Sequence, residues 1–229
     1  MSDPRNVDSW AKPVDEFHVE DVDSDAPKGN VEGRKPVGPL QGFGQLWQKS
    51  YEVSVPNAAP EEVIATWKEN FGDFWPSTQR FYAPAGGISP GAVAVVGGGK
   101  GPAKITTGVR VIYSDDVSWS YMNPEGHPWA AIITFSAHEG DDGVTVARVH
   151  LLVRANDPLY EASFKIYTSK LEDTIWTHTL TQVATHFGAI DPEVQLQVQL
   201  IDKKRQWSEM KNIWKNSAIR TLLRQDKRG

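Results

Sequence analysis

Trp129-Ala130-Ala131-Ile132-Ile133-Thr134-Phe135-Ser136-Ala137-His138 and Ala147-Arg148-Val149-His150-Leu151-Leu152-Val153-Arg154 are the two runs on which the fold turns. In the first, the odd positions are Trp129, Ala131, Ile133, Phe135 and Ala137; in the second they are Ala147, Val149, Leu151 and Val153. The even positions carry Thr134, Ser136 and His138, then Arg148, His150 and Arg154. Successive side chains of a strand point to opposite faces, so a hairpin through Gly140-Asp141-Asp142-Gly143 that keeps parity puts every odd residue on one face. A slip of one residue would destroy that agreement.

The same pattern extends upstream. Strand-like runs near residues 79–83, 91–97, 103–113, 117–122, 128–138 and 144–155 are separated by turn clusters short enough for hairpins, which predicts an antiparallel meander. Parity places Ile105, Val109, Val111 and Tyr113 opposite Val117, Trp119 and Tyr121 on the same apolar face. An earlier alternating run, residues 42–55 with Trp47, Tyr51, Val53 and Val55 on one parity, predicts a further strand. Pro60-Glu61-Glu62 starts a helix carrying Val63, Ile64, Trp67 and Phe71, because proline suits the first helical position and acids suit the first turn. Asp157-Pro158 begins a long helix that stops at Gly188.

This order of elements predicts an α+β domain over residues 42–190, a six- to seven-stranded antiparallel sheet wrapped around a long C-terminal helix. With Tyr51-Glu52-Val53-Ser54-Val55, Pro60-Glu61-Glu62-Val63-Ile64, Phe74-Trp75-Pro76 and Val149-His150-Leu151-Leu152-Val153-Arg154 in these places, residues 42–188 resemble the helix-grip fold of the START and Bet v 1-like superfamily, also called SRPBCC or polyketide cyclase-like. The resemblance implies an elongated apolar cavity between sheet and helix. Its expected lining is Trp119, Tyr121, Trp129, Tyr113, Phe135, Val111, Ile133 and Leu151 from the sheet, with Tyr167 and Leu171 from the helix. Phenols and indoles pack an apolar molecule and orient it with an O–H or N–H. The expected function is noncatalytic binding or carriage of a small apolar ligand, aromatic or lipid-like. The rivals are a cyclase- or dehydratase-like enzyme and an assembly subunit. Acid–base chemistry would have to come from His127, Lys49 or Arg80 at a cavity mouth, or from the helix.

Several chemistries find no support. The chain of 229 residues has no cysteine, hence no disulfide, thiolate metal site or thiol nucleophile. Gly97-Gly98-Gly99-Lys100-Gly101 lacks the Ser or Thr and the following helix of a phosphate loop. None of the six histidines pairs at i, i+4 on a helix, and no Gly-x-Ser-x-Gly elbow occurs, so neither a metal, a cofactor nor a catalytic residue is expected. No apolar run approaches a membrane span, and the start of the chain carries no apolar leader, which gives the expectation of a cytoplasmic protein.

The charge is unevenly placed. Residues 1–40 carry a net −4, residues 41–201 a net −7 and residues 202–229 a net +6. Residues 1–41 read as an acidic tail, flexible or draped on the domain, with Trp10, Val14, Phe17 and Val19 as its anchoring points. Residues 191–229 read as a basic extension: a strand with alternating valine or leucine and glutamine from Val194 to Leu200, then a helix from Ser208 to about Arg224. Such an extension is expected to pack on the acidic domain of its own chain or of a second copy, forming a homodimer, with an anionic membrane surface as the less favoured alternative. Nucleic acid is excluded as a partner because the remaining chain is strongly acidic.

Overall fold

The computed structural model describes residues 6–20, 22–23, 25–98, 105–163 and 169–225. Its strands are β1 (Pro36–Val37), β2 (Leu46–Val55), β3 (Gln79–Tyr82), β4 (Val93–Gly98), β5 (Ile105–Ser114), β6 (Ser118–Pro124), β7 (Trp129–Glu139), β8 (Thr145–Ala155) and β9 (Gln195–Asp202). Its α-helices are α1 (Pro60–Glu69), α2 (Pro158–Ser163), α3 (Ser169–His186) and α4 (Ser217–Gln225). The strands form one antiparallel sheet in the order β3-β4-β5-β6-β7-β8-β2-β9, with β1 paired to β6 off that path.

The parity argument holds through the last hairpin. Ala131 pairs with Val153, Ile133 with Leu151 and Phe135 with Val149, while Thr134 pairs with His150 and Ser136 with Arg148 on the opposite face. The first set is buried and packs against α1 and α3, through Val63, Ile64 and Trp67 of α1 and Ile175, Trp176, Leu180 and Val183 of α3. This is the helix-grip arrangement, in which an antiparallel sheet can leave one face polar only by covering the other with helices.

Parity fails at one point. The register of β5 on β6 shifts between Val111 and Tyr113, so Val111 faces Tyr121 but Tyr113 faces Ser120. An extra residue in one strand of a pair turns everything beyond it to the other side. Tyr113 therefore lies on the outer face, its ring 4.7 Å from Trp10 and its hydroxyl donating to Asp115 Oδ2 at 2.6 Å.

The helix read as one piece from Asp157 is described in two stretches, α2 and α3, and Tyr167 lies outside the described residues. Asp157 Oδ1 accepts the backbone N–H groups of Leu159 and Tyr160, satisfying the start of α2. Gly188 ends α3 with φ +88°, a conformation that favours glycine.

The described parts of the N-terminal and C-terminal segments lie on the domain. Phe17, Val19, Ala26 and Val31 bury themselves against Val93 and Val95 on the outer face of β4, whereas Val14 and Trp10 remain substantially exposed. Gly108 makes room for this, since a Cβ there would meet the side chain of Val31 at 2.8 Å. In the extension, β9 joins the free edge of β2. The predicted helix from Ser208 is instead a 3₁₀ segment, Trp207–Lys215, and α4, divided at Asn216. The division follows from local chemistry: Asn216 Oδ1 caps α4 by accepting from Ala218 and Ile219, and Asn216 Nδ2 donates to the buried Asp157. Arg154 fastens the start of the same segment by donating to Gly44 O, Lys204 O and Asp202 Oδ2.

Gly126, in the turn between β6 and β7, is where the extension comes closest. Its carbonyl accepts the N–H of Ser217 at 2.9 Å, its φ is +83°, and a Cβ there would collide with the carbonyl of Lys215. Gly126→Ala is expected to speed hydrogen exchange of the α4 amides at least tenfold, about 1.4 kcal/mol of local opening, with little change in the β7 and β8 amides. Equal protection in the two proteins would show that α4 is held elsewhere.

Candidate functional site

The space between sheet and helix divides into a solid half and a hollow half. In the solid half the ring of Trp119 stacks on Phe135 with centroids 4.6 Å apart, and Trp67 meets both edge-on at 5.2 and 5.4 Å. In the hollow half lies a cavity of about 310 Å³. Leu171, Ile175 and Trp176 of α3 cover it. Val96, Thr107, Val109, Tyr121 and Ile133 form its floor, and Phe71, Trp75 and Phe81 close one side. His127, Pro128 and Trp129 close the other, and the lining runs out to the exposed Thr78 beside Gln79.

Of the expected lining residues, the structure brings Tyr121, Trp129, Ile133 and Leu171 to this cavity. Trp119, Phe135, Val111 and Leu151 are on the correct face but belong to the packed core rather than the wall. Tyr113 is on the wrong face because of the β5 register shift. The sequence reading missed the α1–β3 contribution, Phe71, Trp75 and Phe81, and also Ile175 and Trp176. The cluster Phe74-Trp75-Pro76 was visible, but nothing in its spacing says that the segment folds back over the sheet.

The polar groups of the wall have a consistent character. The Nδ1 atom of His127 sits in a buried polar cluster, 3.0 Å from the backbone nitrogen of Trp129, 3.1 Å from the Trp129 carbonyl and 2.8 Å from the amide nitrogen of Asn123. Burial pulls the imidazole down to about 3, against a smaller upward influence from the Trp129 backbone. Burial also drives the Tyr121 phenol far above its ordinary value, opposed slightly by the neighbouring Trp119 indole. Neither group changes charge near neutrality. Among the described residues the hydroxyl of Tyr121 and the indole nitrogens of Trp129 and Trp176 make no hydrogen bond of good geometry, which is uncommon for buried donors.

The other basic residues considered for acid–base chemistry lie elsewhere. Arg80 is on the surface, bonded to Asp23 at 3.2 Å and stacked over Tyr82. Lys49 is sealed between β2 and α3, its Nζ 2.8 Å from both Glu172 Oε2 and Asp173 Oδ1, and Tyr51 donates to the same Asp173 oxygen at 2.5 Å. Glu172 of α3 is a fully buried carboxylate. Burial lifts its carboxyl to about 7 even though Lys49 pulls it down, while the charges of Glu172 and Asp173 outweigh burial to hold the Lys49 ammonium above its ordinary value. The cluster pins α3 to the sheet beside β9 and contributes nothing to the cavity wall.

No group of three or more metal-ligating side chains converges among the described residues. No described helix is long and apolar enough to cross a membrane. No family model and no curated protein matches the chain. Solved structures do resemble it. A START superfamily protein from Mycobacterium smegmatis aligns with 62% of this chain and 99% of its own at 15% identity and a TM-score of 0.46. Ara h 8.0201 aligns with 61% of this chain and 99% of its own at 13% identity and a TM-score of 0.45. Ginseng major latex-like protein 151 from Panax ginseng aligns with 64% of this chain and 100% of its own at 12% identity and a TM-score of 0.39.

Proposed function

We propose that this protein binds and carries a small, largely apolar molecule bearing at least one hydrogen-bond acceptor, held between α3 and the β4–β7 part of the sheet. The carrying observation is the cavity itself: about 310 Å³, walled by aromatic and aliphatic side chains, with a few hydrogen-bond donors and no carboxylate or ammonium among the described lining residues. Its volume is at the lower end of small-molecule sites, roughly 300–1,000 Å³, which suits a compact aromatic molecule better than a long acyl chain. His127 and, once their side chains turn towards the open space, the buried Tyr121 O–H and the Trp129 and Trp176 N–H groups supply donors. A carbonyl or ether oxygen is the complementary group, and a buried donor left unmatched costs about 1–3 kcal/mol.

The same wall favours carriage over catalysis. A general acid or base works best with its titration near the working pH. Here His127 and Tyr121 are both held uncharged across the neutral range by burial, and the buried Lys49–Glu172 pair is outside the cavity.

Filling the cavity tests this. Ile133, 3% exposed and in the cavity floor, is replaced by tryptophan, and both proteins are titrated with the dye 1-anilinonaphthalene-8-sulfonate and examined by native mass spectrometry. The expected result is at least a tenfold loss of dye affinity, about 1.4 kcal/mol, and loss of any small molecule retained by the parent protein. Unchanged dye binding with an unchanged melting temperature would remove the cavity as the binding site.

A further inference from the structure

A second binding feature lies at the opposite side of the sheet and is independent of the cavity. β9 is the last strand of the path, so one of its two edges has no strand beside it among the described residues. Leu196, Val198 and Leu200 face Tyr51, Lys49 and Trp47 across the β2 pairing, which puts them on the face that carries α3. They are nevertheless 42%, 51% and 41% exposed. Natural edge strands are usually blunted by charge, proline, a bulge or a covering segment. From Gln195 to Leu200 this one has no charge and no proline, and the register shift against β2 comes only beyond Leu200.

The pattern is self-complementary about its centre. In an antiparallel pairing of two copies centred on Val198, Leu196 faces Leu200, Gln197 faces Gln199, and Val198 faces itself, so the apolar residues of both copies lie in one row on the α3 side. Just outside the run, beyond the irregularity at Ile201, Glu193 of either copy comes beside the basic pair Lys203-Lys204 of the other. A parallel pairing would oppose Glu193 to Glu193 and Lys203 to Lys203, and a centre at Gln197 would leave Glu193 facing Ile201. We propose that the open edge of β9 is a self-association surface, which joins the sheets of two copies through antiparallel β9 strands about a two-fold axis at Val198. Charge complementarity at the ends of the run selects a second copy in this register, and pairing removes both the open backbone edge and the exposed leucine–valine row.

The chain has no cysteine, so single substitutions by cysteine report the register directly. Directly opposed residues in an antiparallel pair have Cα atoms about 4.5–5.5 Å apart, within disulfide range, and only the residue on the axis opposes itself. Cysteine is placed at 196, 197, 198, 199 and 200 in the full chain, each protein is treated with a mild oxidant, and the covalent dimer is measured. Val198→Cys is expected to cross-link most, several-fold above its neighbours. In sedimentation, Lys203→Glu is expected to weaken association at least tenfold, and the exchange Glu193→Lys with Lys203→Glu to restore it. A parent protein that is monomeric at every concentration, cross-linking that is uniform along the strand or peaks elsewhere, or a charge exchange without rescue would each overturn the proposal.

Discussion

Lys49→Met is expected to destabilise the fold by about 3–5 kcal/mol at about pH 8, the range found when one partner of a buried ion pair is removed and the other is left unmatched. Lys49 is 3% exposed and Glu172 is 0% exposed, so neither charge has water to fall back on. The loss should depend on pH with a definite sign. In the parent protein burial raises the Glu172 carboxyl from its ordinary 4.5 to about 7, so between these values the folded chain keeps a proton that the unfolded chain has released. The stabilisation linked to that proton is complete below about 4.5 and is lost as pH rises towards 7. Without Lys49 the one strong downward influence on Glu172 is gone, the window extends further upward, and stability keeps falling by about 1.4 kcal/mol per pH unit. Urea melts of both proteins at intervals from about pH 5 to 8 measure this. Glu172→Gln should abolish the slope, because it keeps the shape and removes the titration. A flat profile in Lys49→Met would mean that solvent reaches the pair.

This cluster also shows where the sequence ceased to be legible. Lys49 lies within an alternating strand and Glu172 within an amphipathic helix, and nothing in either period says that the two positions meet. The sheet was readable because period-two alternation is a local signal repeated in every strand, and the register of β7 on β8 follows from parity alone. Tyr113 was misplaced because one extra residue in β5 inverts the face, and the composition of Val111-Ile112-Tyr113 does not announce it. The division of the extension at Asn216-Ser217 was in principle visible, since Asn is a strong N-cap residue. The helical period of Met210, Trp214 and Ala218 runs straight across it and concealed it. The cavity depends on how far α3 stands from the sheet and on where the α1–β3 connection folds back, both of which are tertiary quantities. Four expected residues reached the wall because the correct face was known, and four fell in the solid half because the face alone does not say which end is hollow.

Trp119→Ala separates those two halves. Trp119 is 0% exposed, stacked on Phe135, edge-on to Trp67, and 5.9 Å from the ring of Phe71. Truncation removes the transfer free energy of an indole and leaves a void that a sheet held by hydrogen bonds on both sides cannot close, which costs about 3–5 kcal/mol. For a domain of this size that corresponds to a fall of roughly 6–20 °C in melting temperature. Ile133→Trp, which adds volume at a place that has space, should leave the melting temperature within about 2 °C while abolishing dye binding. The two variants therefore move different observables: the first costs stability and retains dye binding below its own transition, and the second costs binding and retains stability. Phe71 and Tyr121 touch the Trp119 ring and also line the cavity, so the new void in Trp119→Ala opens towards the existing one. A larger probe than the parent accepts should then bind to this variant. If Trp119→Ala melts with the parent protein and loses the dye instead, Trp119 is a ligand contact, and the solid half of the interior is the binding site.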